Sequence, residues 1–124
     1  PVFAQICESL LQKTEDGRLL GLITPITMGE IIVKPLKANQ AALADRYQNA
    51  LRNLPNVSLC TLTWRTGVMA GALRAKYGLA LPDLFQVACA IENGACLITN
   101  DKALKKIVEV PVVLLSELLG GRGA

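Results

Sequence analysis

The sequence predicts an α/β domain with an open parallel sheet flanked by helices, and three observations carry that expectation. Short apolar runs alternate with longer stretches whose apolar positions recur at helical spacing. The intervening segments of ten or more residues give room for the right-handed crossovers that parallel strands require. The chain of 124 residues is 52% hydrophobic but 4% aromatic, so its core must be Leu, Ile, Val and Ala, a composition suited to buried strands under helices. A chain of this length forms one core; residues 1–119 are expected to be a single domain and residues 120–124 a flexible tail.

The elements follow in order. Val2, Phe3, Ile6, Leu10 and Leu11 give a first helix to about Lys13, broken by Glu15-Asp16-Gly17. Leu19 to Thr24, LLGLIT, is a short apolar strand despite Gly21, ended by Pro25. Thr27-Met28-Gly29-Glu30 has the form of a capping box, with Glu30 reaching back to the Thr27 amide, and the helix it opens runs toward Pro35. Asn39 is expected to cap an amphipathic helix from Ala41 to Asn53. Val57 to Leu62, VSLCTL, is a second strand, and Thr66 to Lys76 a helix stopped by Gly78 in the left-handed region. Pro82 and Asp83 open a broadly apolar helix that ends near Gly94. Ala95 to Thr99, ACLIT, is the third strand, followed by Asn100-Asp101 and a short basic helix from Lys102 to about Ile107. Val110 to Leu115 is the last strand, with Pro111 at an edge or at its start. Ser116 is expected to cap the final turn.

Composition excludes several classes of chemistry. There is no histidine, which removes His general bases, Ser-His-Asp and Cys-His pairs and His-ligated metals together. Cys7, Cys60, Cys89 and Cys96 form no C-x-x-C pair, and are expected to be reduced and mostly buried. No segment has the apolar length of a membrane span and no signal pattern opens the chain, so a cytoplasmic location is expected. The formal charge of +3 is compatible with a polyanionic partner without deciding for one. Neither phosphate-loop glycine motif is present.

Three carboxylates stand out by position. In open parallel sheets ligands bind at the carboxyl ends of the strands. Glu30 lies at the start of the helix after LLGLIT, and Asp101 two residues after ACLIT. Asp83 opens the helix that feeds ACLIT, so an antiparallel return brings it to the same edge. Converging like charges raise one another's pKa unless a cation relieves them. With oxygen ligands only, that cation is hard, Mg²⁺ or Mn²⁺, and can activate water against a phosphodiester.

These residues resemble a family. The stretch LPDLFQVACAIENGACLITND, Leu81 to Asp101, resembles the signature of PIN-domain nucleases, in which an aspartate opens a helix and a T-N-D turn follows the next strand. ITPITMGEIIVKPL, Ile23 to Leu36, is similar to the family's second acidic motif, and the order of elements matches from Val2 to Leu119. Within the family, the size looks like that of the VapC-type toxins of toxin–antitoxin pairs. The resemblance implies a three-layer α/β/α, PIN-like fold and a metal-dependent endoribonuclease. It further implies that Glu30, Asp83 and Asp101 are catalytic and bind one or two Mg²⁺ or Mn²⁺ ions, with Thr99 and Asn100 in support. RNA is the implied substrate; an antitoxin protein and a second copy of the chain, forming a homodimer, are the implied partners.

One departure is expected to matter. The family begins with a strand that ends in an aspartate, the first metal ligand, and this strand is central in the order 3-2-1-4-5. Here the chain opens in what reads as the following helix, and neither Glu8 nor Asp16 follows an apolar strand. Without that strand a gap with unpaired backbone groups is expected in mid-sheet, and little or no activity from the chain alone. The alternatives are an upstream beginning, a trimmed chain, or a defective domain. A non-catalytic PIN-like module that binds RNA or protein is the rival function. A phosphoryl-accepting receiver domain is set aside, since VSLCTL is followed by Thr63-Trp64.

Each carboxylate also has a local reading: Glu30 in its capping box, Asp83 against the helix dipole, Asp101 as a turn residue or cap. Lys102, Lys105 and Lys106, like Arg65, Arg74 and Lys76, are expected on solvated faces, with contact to RNA phosphates the sharper alternative. Trp64 is expected to pack rather than to stack a base.

Overall fold

Helix α1 spans Val2–Glu15 in the computed structural model, which describes residues 2–121. The side chains of Val2, Phe3 and Ile6, expected on the apolar side of α1, lie outside those described, as do residues 122–124 of the expected tail. The chain divides into two compact units, Leu10–Thr61 and Pro1–Ser9 with Leu62–Ala124.

In the Leu10–Thr61 unit, β1 (Gly21–Ile23) and β2 (Val57–Leu59) pair in parallel, with Leu22 opposite Ser58. Gly21 eases this pairing: a Cβ on it would stand 3.1 Å from Val57 Cγ2, so a larger residue would push Val57 aside by a few tenths of an ångström. Asn56, at φ +62, makes the turn into β2, and its side-chain amide donates to Thr14 O. Helices α2 (Pro25–Lys37) and α3 (Ala41–Arg52) pack together as a hairpin.

Two expected caps in this unit are corrected. The N-cap of α2 is Thr24, which accepts from the Thr27 amide and puts Pro25 in the first turn. Proline's missing N–H and fixed φ favour that start over one at Thr27, and the helix passes Pro35 to reach Lys37. Gln40, not Asn39, precedes α3 as its N-cap, without a side-chain bond. Asn39 takes φ +57 between the helices, a left-handed conformation Asn tolerates better than most residues.

In the other unit, α4 (Trp64–Tyr77) packs on α5 (Leu81–Glu92), and β3 (Leu97–Thr99) pairs in parallel with β4 (Val112–Leu114). A 3₁₀ helix, Lys102–Lys106, links the two strands, and α6 (Leu115–Gly121) follows β4. Ala70, Leu73, Leu84, Val87, Ala88, Leu104, Ile107 and Val112 are among the buried residues of its core. Thr63 and Thr66 form a capping box that starts α4 two residues before the expected Thr66. Gly78 ends it at φ +70, as its sequence position predicts. Pro111 lies just before β4, where its carbonyl accepts from Leu97 N.

The architecture is α/β with parallel strands. Among the described residues the strands form two pairs, β1-β2 and β3-β4, so β1 and β3 each keep one edge without a strand partner. All four strands are three residues long, shorter than their apolar runs, because ladder pairing and not hydrophobicity sets where a strand ends.

Candidate metal centre

Asp101 owes its place to the turn after β3. Its backbone N–H donates to Thr99 Oγ1 at 3.1 Å, and its Oδ1 accepts from the Ala103 amide at 2.9 Å. The aspartate therefore caps the 3₁₀ helix, as the local reading expected, with one carboxylate oxygen. Its other oxygen has no hydrogen bond among the described residues. Thr99 is half-buried, whereas Asn100 and Asp101 are exposed.

Asp83 sits in the first turn of α5, half-buried, at the positive end of the helix dipole. Ala80, the N-cap, offers no side-chain bond. Among the described residues the Asp83 carboxylate makes no hydrogen bond or ion pair. Asp83 and Asp101 belong to the same compact unit.

Glu30 belongs to the other unit, exposed in the second turn of α2. Its expected capping-box bond to Thr27 is corrected: Thr24 holds that amide, and Glu30 has no hydrogen bond or ion pair among the described residues. The structural reason offered for this glutamate is thereby removed. Among the described residues, no three His, Cys, Asp or Glu side chains stand close enough together to hold a metal ion. The donor chemistry available at Glu30, Asp83 and Asp101 is all carboxylate oxygen, which suits Mg²⁺ or Mn²⁺ and not a soft transition metal.

The expectations for Trp64 and the cysteines are revised by exposure, while Arg74, Lys76 and Lys105 are exposed as expected. Trp64 is 89% exposed and so does not pack as expected. Cys7 and Cys96 are exposed, Cys60 is half-buried and only Cys89 is buried; all four are free thiols. Their small size let the sequence place them inside, but Cys60 and Cys96 fall just outside β2 and β3, Cys7 is on an exposed part of α1, and Cys89 alone of the four lies on the buried side of α5. Arg74 donates to Leu79 O beyond the end of α4, and Lys76 pairs with Glu109 at 2.8 Å. Lys105 is paired too: its Nζ reaches Val112 O at 2.9 Å and Glu117 Oε1 at 3.0 Å.

Glu109 and Glu117 were not among the residues singled out from sequence. Glu117 accepts from Leu114 N, three residues earlier, at 2.9 Å, which is the glutamate half of a capping box. Leu114, not Ser116, thus precedes the helix, and a leucine in the capping position concealed the motif. Glu109 is held well below the usual carboxylate range, at about 2, first by the hydrogen bond from Lys76 and then by that from Tyr77 Oη. Glu117 is lowered by the Leu114 amide and by Lys105.

The PIN domain family model matches residues 5–110. The chain belongs to the PIN domain family. It is also similar to a solved toxin–antitoxin complex from Klebsiella pneumoniae, at 28% identity and a TM-score of 0.62, over 76% of this chain and 72% of that one. No curated protein sequence matches it. No helix among the described residues is long and apolar enough to cross a membrane.

Proposed function

We propose that this chain is a metal-dependent endoribonuclease of the PIN type and the toxin of a toxin–antitoxin pair. Residues 1–119 would act as one domain in the cytoplasm, with RNA as substrate, an antitoxin protein as partner and a second copy completing a homodimer. The observation that carries the reading is the pairing of motif with unused charge. Asp83 and Asp101 lie within one unit in the stretch that resembles the family signature, and among the described residues Asp83 makes no hydrogen bond or ion pair and Asp101 has one carboxylate oxygen without a hydrogen bond. A protein seldom leaves a half-buried carboxylate unpartnered without a use for it. The likeness to a toxin–antitoxin complex supports the biological setting.

Asp83 and Asp101, which share one unit, would hold Mg²⁺ or Mn²⁺, and the ion, when bound, supplies Lewis-acid activation of water and charge stabilisation at a phosphodiester. The chain's own contribution is orientation. Thr99 Oγ1 occupies the Asp101 N–H and Ala103 N one of its carboxylate oxygens, which holds the carboxylate in place on the turn. Thr99 and Asn100 would support the site from the turn itself.

The test is cleavage of single-stranded RNA with and without added Mn²⁺, alongside Mn²⁺ titration by calorimetry. Asp83→Asn and Asp101→Asn are expected each to lower the cleavage rate by about 10²-fold or more, the scale of losing one electrostatic stabiliser. Undiminished cleavage by both variants would refute these ligand assignments. RNA binding without Mn²⁺ binding or cleavage would leave the non-catalytic module as the function.

A further inference from the structure

Two side chains outside the carboxylate set fix the segment that carries Asp101. The turn from Thr99 to the 3₁₀ helix is tied to β4 at both of its ends. At its start, Thr99 lies opposite Leu114 in the β3–β4 ladder. At its end, Lys105 spans back to β4, donating to Val112 O and to Glu117 Oε1, and the same Glu117 oxygen accepts from Leu114 N. Between these ties, Leu104 and Ile107 are 4% and 3% exposed, so the hydrophobic side of the segment is anchored in the core. Among the described residues Asp101 has no other hold: its hydrogen bonds all run within residues 99–104.

We propose that Lys105 and Glu117 are positioning residues for Asp101, a brace that sets the direction of its free carboxylate oxygen by fixing the far end of its turn on β4. This rests on the reading of Asp101 as a metal ligand. The brace serves geometry in preference to stability. Its ion pair is about half exposed, 45% at Lys105 and 47% at Glu117, and exposed pairs add little to folding. Lys105 lies four residues beyond Asp101 in the 3₁₀ segment, so releasing it would leave the far end of that segment held only by its buried Leu104 and Ile107 and would loosen the Ala103 amide on Asp101 Oδ1. Groups that orient metal ligands in this way are worth roughly 10–100-fold in metal affinity.

The experiment compares Mn²⁺ binding, by calorimetry, and amide exchange at Ala103 in the metal-free chain for the wild type, Lys105→Met, Glu117→Ala, Glu117→Gln and Asp101→Asn. Lys105→Met and Glu117→Ala are expected to weaken Mn²⁺ binding about tenfold and to speed Ala103 exchange, Lys105→Met with an unchanged unfolding midpoint. Glu117→Gln, which keeps an acceptor for Leu114 N and Lys105, is expected to restore most of both, and it remains informative should the alanine variant fail to fold. Wild-type Mn²⁺ affinity in Lys105→Met and Glu117→Ala overturns the brace, whether or not Ala103 exchange changes. Unchanged binding in Asp101→Asn, or no binding by the wild type, overturns instead the assignment of Asp101 on which the brace depends.

Discussion

At the scale of single residues, the same carboxylate chemistry is put to different uses by its immediate neighbours. Glu30 and Asp83 make no bond among the described residues, Asp101 spends one oxygen on a cap, and Glu117 is committed to Leu114 N and Lys105. Thr66 is the buried counterpart, fully enclosed; its hydroxyl donates to Glu92 and accepts from the Thr63 amide. Thr66→Val keeps the shape but strands that amide and breaks the capping box. Urea unfolding should show a loss of about 1–2 kcal/mol. Gly78→Ala forces a side chain into the left-handed region at φ +70 and should lose about 1–2 kcal/mol in the same measurement.

At the scale of elements, short pieces of structure are held by side chains that reach from one to the next. Tyr77 Oη, at the end of α4, donates to Glu109 and accepts from the Val108 amide, while Lys76 pairs with the second Glu109 oxygen. This clasp ties the segment before β4 to α4. The folded state lowers Glu109 from 4.5 to about 2, so its contribution is fully present above the ordinary carboxylate range and is lost as pH falls toward 2. Thermal unfolding followed between pH 5 and pH 2 should therefore show a stability decline that is shallower in Glu109→Gln, whose side chain does not titrate. An equally steep decline in that variant would remove Glu109 as a cause. Helix starts obey a similar local competition: Thr24 with Pro25 wins over Thr27, and Thr63 with Thr66 starts α4 early.

At the scale of the whole molecule, the buried core of the α4–α5 unit is aliphatic, with Tyr77 and Phe85 packed against it from the partly buried layer. Leu84 has no exposure, and Leu84→Ala should cost about 2–5 kcal/mol by calorimetry or denaturant unfolding, since the cavity is lined by neighbours that relax only in part. The net charge of +3 sets a modest electrostatic attraction for RNA. If two or three phosphates are contacted, affinity for single-stranded RNA should fall about tenfold between 50 and 200 mM salt. A far steeper dependence would mean a larger basic surface than Lys102, Lys106 and Arg65 provide. The fold class was legible because apolar periodicity is a property of neighbouring residues, and the signature from Leu81 to Asp101 was legible because its chemistry lies within one helix, one strand and one turn.

What the sequence by itself determined is the alternation of helices and parallel strands, the left-handed stop at Gly78, and the order of Glu30, Asp83 and Asp101. Each depends on covalent spacing and intrinsic backbone preference, which no tertiary contact needs to supply. Only the tertiary structure decided the three-residue strands, the exposure of Trp64, and the bonds of Lys105 and Glu117 with β4. Those outcomes turn on which backbone groups find partners far along the chain and which surfaces another element covers. A carboxylate at Glu117 and a lysine at Lys105 carry no mark of their meeting until β4 brings their partners within hydrogen-bonding distance.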